Sequence, residues 1–111
     1  MNQIRFEVQG SAAEPYHVVF TKHSETNLSA RCSCPAGVNG QYCKHRFNIL
    51  KGNPEGISSE NDGDVKIVQD WLIGTNVEAA MLKVEELEVQ AERIKKQLAA
   101  AKKEVAKAMR D

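Results

Sequence analysis

All three cysteines of the chain fall inside one short segment, "CSCPAGVNGQYCKH", residues 32 to 45, together with one of its three histidines. Nothing else in the 111 residues limits the fold as strongly. Three thiols cannot close into a complete disulfide set, and thiols kept reduced inside a cell act as metal ligands or nucleophiles. Alternate residues of a strand project to one face, so the CxC spacing lets the sulfurs of Cys32 and Cys34 converge on one ion. Pro35, Gly37 and Gly40 supply the bends that return the chain, and "CKHRFNILKG" delivers Cys43 and His45 at the start of a short helix. Gly52 followed by Pro54 ends that helix. A Cys3His set matches closed structural zinc, soft thiolates and an imidazole in a tetrahedron that leaves no place for water. A nucleophilic Cys43/His45 pair, a redox-active CxC, and cysteines that merely fill space are the competing readings.

The residues before this segment alternate with the period of half-buried strands. In "IRFEV", Ile4, Phe6 and Val8 share one parity; in "YHVVF", Tyr16, Val18 and Phe20 do; a third run places Leu28, Ala30, Cys32 and Cys34 together. The expected fold is a three-stranded antiparallel meander with turns at "GSAAEP" and "KHSETN". Phe47 and Leu50 are expected to pack on the strand face while Lys44 and Lys51 face water. Tyr16, Phe20, Tyr42 and Phe47 are assigned to the core, and His17 and His23 to the surface, outside the ligand spacing.

Cys32, Cys34, Cys43 and His45 together resemble the CxC…CxH pattern of the SWIM zinc finger, and Cys34-Pro35 and Cys43-Lys44-His45 are similar to frequent variants of it. The resemblance covers roughly residues 4 to 52, strands and short apolar helix included. It implies a zinc-binding domain with a proposed role in DNA binding or protein interaction, of a kind attached to helicase-like ATPases, transposase-like proteins and kinases. No such enzymatic domain stands in this sequence, so only the metal ligands carry over residue by residue.

Three parts follow from composition: a zinc-binding module at 1–52, an acidic linker with a short amphipathic helix at 53–75, and a long helix at 76–111. The first carries six Lys/Arg against three Asp/Glu. In "NPEGISSENDGDVKIVQDWLIGT", Asp62 or Asp64 can cap a helix with Val65, Val68 and Leu72 as its stripe, Ile67 and Trp71 beside it, and Gly74 as its stop. Trp71 is either an anchor for a partner or, the plainer reading, the residue that packs this helix on the module or the next helix. Thr75 and Glu78 have capping-box spacing. From Val77 there is no Gly or Pro, a helix of roughly 50 Å. Heptad position a falls on Val77, Val84, Ala91, Leu98 and Val105, and position d on Ala80, Leu87, Ile94, Ala101 and Ala108. Alanine holds four of these ten sites and buries little area. Val77 to Glu92 has five acids and one base, and Arg93 to Asp111 seven bases and two acids. That division suits an antiparallel homodimer, with Glu88 facing Lys102 and Lys83 facing Glu104; a parallel dimer that pairs Lys83 with Glu88 remains open.

The expected architecture is therefore α+β, a zinc-stabilised meander with a short helix followed by a long coiled-coil-like helix. The expected role is a non-enzymatic interaction module with one structural zinc per chain and residues 77–111 as the association arm. No open metal site, carboxylate pair or phosphate loop marks an enzyme or a small-molecule substrate. The alternative is weak DNA binding, with Arg31, Lys44, Arg46 and Lys51 as candidate contacts and Lys102, Lys103, Lys107 and Arg110 as a further basic stripe. The net charge of zero lacks the basic excess of most nucleic-acid binders. No secretory leader and no apolar run of membrane-spanning length is visible, so the expected location is the cytoplasm.

Overall fold

The computed structural model describes residues 2–110 and has an α+β fold. Strands β1 (Asn2–Val8), β2 (Tyr16–Ser24) and β3 (Asn27–Cys32) form an antiparallel sheet in the order β1-β2-β3. Helices α1 (Pro35–Val38), α2 (Lys44–Leu50), α3 (Val65–Leu72) and α4 (Asn76–Arg110) follow. No helix among the described residues is long and apolar enough to cross a membrane.

The alternation read from the sequence sets the register. Phe6 pairs with Val18, Ile4 with Phe20, Phe20 with Ala30 and Val18 with Cys32, which puts the apolar parity of all three strands on one face. Phe6 and Phe20 meet edge to face, ring centroids 5.9 Å apart, and both are fully buried with Val18 and Leu28. Helices α2 and α3 complete the core through Ile49, Leu50, Val65 and Val68. At the end of α3, Lys22 Nζ donates to the Trp71 carbonyl at 2.6 Å, a cation on carbonyls that the helix leaves unpaired. Trp71 itself is half-buried.

Three local expectations are corrected. The second hairpin is tighter than "KHSETN" implies: β2 continues through Ser24, with a register shift between Lys22 and Ser24, and only Glu25 and Thr26 form the turn. The loop after Cys34 is not wholly irregular, because Pro35 starts a single helical turn, α1. Neither Asp62 nor Asp64 makes a side-chain cap; they form a short 3-10 turn that leads into α3.

Composition points to a linker after Gly52, yet part of that segment is bonded to the sheet. Gln9 N–H donates to Gly56 O and Ser58 N–H to Glu7 O, each at 2.8 Å, with an isolated bridge between Val8 and Ile57. Glu7 N–H donates to Ser59 Oγ at 3.0 Å and Asn61 Nδ2 to Arg5 O at 2.7 Å. An edge strand presents unpaired amides and carbonyls, and short polar residues satisfy them as well as a fourth strand would. The outer edge of β3 is treated likewise. Leu28 N–H donates to Asn76 Oδ1 and Asn76 N–H to Thr26 O, both at 3.0 Å, while Ala30 O accepts from Arg46.

The capping box forms with one arm displaced. Glu78 N–H donates to Thr75 Oγ1 at 3.4 Å, but the Glu78 carboxylate accepts from Gly74 N–H at 3.0 Å rather than from the cap residue. Contacts divide the chain into two compact units between Glu78 and Ala79. Along the second unit, Leu87, Ile94, Leu98 and Val105 of the heptad stripe are exposed.

Candidate metal centre

The four residues of the CxC…CxH pattern come together. The ligand atoms of Cys32, Cys34, Cys43 and His45 all lie within 4.8 Å of one another, and the three cysteines are buried. Cys34 Sγ is 3.4 Å from Cys43 Sγ, and His45 Nδ1 is 3.6 Å from Cys43 Sγ and 3.8 Å from Cys32 Sγ. The cysteines are free thiols, and the shortest sulfur separation far exceeds the covalent distance of about 2.05 Å.

Local backbone geometry makes this convergence. Strand β3 ends at Cys32, so Cys34 is not a strand residue as expected, but its φ of −66° and ψ of 159° keep it extended and preserve the alternation that aims both sulfurs inward. Cys34 stands at the N-cap of α1, where its sulfur accepts from Gly37 N–H at 3.3 Å; Cys32 Sγ accepts from Cys34 N–H at 3.5 Å. Gln41 N–H donates to Ala36 O at 2.8 Å and Gly40 takes a φ of 71°, which turns the chain back toward the cluster. Cys43 is the N-cap of α2, and His45 is two residues further on.

Two glycines shape the site and were not singled out by charge or periodicity. A Cβ on Gly37 would overlap the Cys32 carbonyl oxygen and lie 2.9 Å from Cys32 Cβ. A Cβ on Gly10 would lie 2.6 Å from the Tyr16 ring and 3.3 Å from His45 Nε2. The His45 ring rests beside Tyr16, centroids 5.1 Å apart. For Gly37 a sequence signal existed: a glycine three residues after a thiolate, inside the ligand loop, where backbone must approach sulfur. For Gly10, in the first hairpin turn, no local signal exists.

The thiols share charge unequally. Burial pushes the Cys32 thiol up to about 12. Burial acts in the same direction on Cys43, but the Arg46 backbone amide and hydrogen bonds with Cys34, Cys32 and His45 outweigh it and hold that thiol at about 6. A cluster without metal thus keeps negative charge on Cys43 and a proton on Cys32.

The candidate nucleic-acid contacts are not equivalent. Arg31 on β3, Lys44 at the start of α2 and Lys51 just beyond it are exposed. Arg46 is held inside the module: Nη1 donates to Ala30 O at 3.0 Å, Nη2 to Gln41 O at 2.7 Å, and Nε is sealed from solvent without a partner among the described residues. The aromatic assignments also need correction. Phe20 is in the core and Tyr16 is half-buried, but Phe47 is only half-buried because Ile49 and Leu50 take the core-facing positions of α2, and Tyr42, in the loop ahead of that helix, is exposed and stacks on Phe47. His17 and His23 are exposed on β2, one 3.9 Å from a Glu7 carboxylate oxygen and the other 2.8 Å from Ser29 Oγ. No protein-family model, curated protein or solved structure matches this chain.

Proposed function

We propose that this chain is a non-enzymatic interaction module of the SWIM zinc-finger kind, in which Cys32, Cys34, Cys43 and His45 hold one structural Zn²⁺ and the long helix is an association arm. The observation that carries the reading is the mutual approach of four soft or borderline ligand atoms to within 4.8 Å. Zinc bonds of about 2.3 Å to sulfur and about 2.0 Å to nitrogen make tetrahedron edges of about 3.8 Å between sulfurs and about 3.5 Å between sulfur and nitrogen. The separations of 3.4, 3.6 and 3.8 Å lie close to those edges. Three thiolates and an imidazole fill the four positions, so the ion holds structure and offers no site for substrate.

The arm reading rests on the exposed Leu87, Ile94, Leu98 and Val105 at heptad spacing. An identical helix running antiparallel is the partner that the division of charge favours. Weak DNA binding is less well supported than protein association, since Arg46 is held by backbone carbonyls and Arg31, Lys44 and Lys51 remain to meet phosphates. The test is metal content. Purified protein carries one zinc per chain, and Cys43→Ser loses it because a shell with one ligand missing is open. Stoichiometric zinc retained by that variant refutes the ligand assignment.

A further inference from the structure

Tyr42 is 56% exposed, yet its ring is fixed face to face on Phe47, centroids 4.0 Å apart and planes within 10°. The stack is not needed to close the core, which α2 meets through Ile49 and Leu50. Beside it opens a hollow of about 380 Å³ walled by Ala30, Gln41, Tyr42, Arg46, Phe47 and Leu50 and, from the first turn of α4, by Val77, whose neighbour Glu78 has its carboxylate engaged by Gly74 N–H. Most of that wall is apolar, and the guanidinium of Arg46 is already engaged with Ala30 O and Gln41 O. Tyr42 also walls an adjoining hollow shared with Lys44 and Pro35.

Charge in this part of the chain has one sign. From Asn27 to Gly52 there are Arg31, Lys44, Arg46 and Lys51 and no Asp or Glu. Lys51 follows Leu50 at the end of α2 and Lys44 lines the adjoining hollow with Tyr42, so two exposed cations adjoin the stack, whereas Arg31, next to Ala30 in β3, projects from the opposite face of the sheet.

We infer that this hollow docks an acidic segment of another protein, which inserts one large apolar side chain beside the Tyr42–Phe47 stack and sets carboxylates against Lys44 and Lys51. An apolar anchor site with a charged rim is how short peptides are held with both affinity and selectivity. Nucleic acid is the less favoured occupant. Phosphate affinity grows with the number of cations met, and few are free here. A base-stacking platform presents open aromatic faces, and Tyr42 gives one of its faces to Phe47. The inference holds whichever ion the cysteine cluster carries, so a failed zinc assay leaves it standing.

The experiment uses the full chain and fluorescence anisotropy with labelled probes: a glutamate-rich peptide with one central tryptophan, the same peptide with serine at that position, a lysine-for-glutamate version, and short single- and double-stranded DNA. The tryptophan peptide binds, the serine peptide binds at least about fivefold more weakly, and the lysine peptide does not bind. Tyr42→Ala weakens the tryptophan peptide by a similar factor. A second variant, Lys44→Glu with Lys51→Glu, tests the rim without touching the stack and lowers both affinity and its salt dependence. Metal content measured on each variant separates a lost site from a lost fold. Equal binding of the tryptophan and serine peptides overturns the proposal. So does unchanged affinity in the double variant, or DNA bound more tightly than any peptide and released by Tyr42→Ala.

Discussion

Gly37→Ala is the most discriminating small change the metal centre allows. Gly37 is not among the residues with positive φ, so alanine meets no backbone penalty there. In a helical turn alanine is favoured over glycine by about 1 kcal/mol. Against that stands the space: the new Cβ would overlap the Cys32 carbonyl oxygen and come within 2.9 Å of Cys32 Cβ, in the backbone and stem of a ligand. Neither is the far end of a flexible side chain, so α1 must move away from β3. Overpacking of this kind costs about 1–3 kcal/mol. The same movement draws Gly37 N–H away from Cys34 Sγ, now 3.3 Å off, and a hydrogen bond to a charged acceptor is worth about 1.5–3 kcal/mol. The net loss is about 3 kcal/mol, on the order of a hundredfold in zinc affinity. Competition with a chromophoric chelator measures it. Gly40→Ala is the control, because a Cβ there meets nothing within 4 Å and the φ of 71° leaves only backbone strain. That strain costs about 1–2 kcal/mol, outside the ligand contacts. Zinc affinity of Gly37→Ala within threefold of the parent, or below Gly40→Ala in its effect, refutes the steric argument.

Ile94→Asp places a charge in the middle of the exposed stripe; sedimentation then shows monomer where the parent chain associates, and a parent that is monomeric at high micromolar concentration removes the homo-oligomer. Zinc affinity depends on pH with a definite sign: between the Cys43 value of about 6 and the Cys32 value of about 12, binding expels at least the Cys32 proton, so affinity falls at least about tenfold for each pH unit lowered. Below about 6 Cys43 is protonated as well and the fall steepens; a flat chelator-competition profile from pH 6 to 8 contradicts this charge distribution. Strong chelation shifts the amide signals of Cys32 to His45 but leaves most helical ellipticity, since α4 spans 35 residues and contains no ligand. Loss of the α4 signal in the same transition refutes that independence.

The parts of this molecule that could be read from sequence are those fixed by neighbours along the chain. Strand parity placed Phe6, Val18, Phe20 and Leu28 in the core, and the ligand spacing placed four donors together. The parts missed depend on partners distant in sequence. Nothing local marks Ser58, Ser59 and Asn61 as the cover of β1, because serine and asparagine suit an open loop equally well. Arg46 reads as surface charge until the carbonyls of Ala30 and Gln41 are seen within reach of its guanidinium. Tyr42 reads as a core residue, but it lies in the loop ahead of α2, where it stacks on Phe47 and stays exposed while Ile49 and Leu50 take the inward positions of the helix. Gly37 is legible as a bend between the cysteines, but the steric reason for a glycine there, the Cys32 carbonyl lying against it, is not.

The covered sheet edges decide how the first unit behaves in a crowded solution. In a sheet of three strands, two are edges, and either would template a neighbouring chain if its amides were free. Here the protection is a short run of backbone bonds from Gly56 and Ser58 with the side chains of Ser59 and Asn61 on one side, and mainly the side chains of Asn76 and Arg46 on the other, with no fourth strand among the described residues. On the outer side of β3 growth of ordered aggregates is therefore blocked largely by side-chain hydrogen bonds, each of which a single substitution can open. Damage at Asn76 would free the Leu28 amide on the outer side of β3 and offer other copies an edge to extend, leaving the cysteine–histidine cluster untouched.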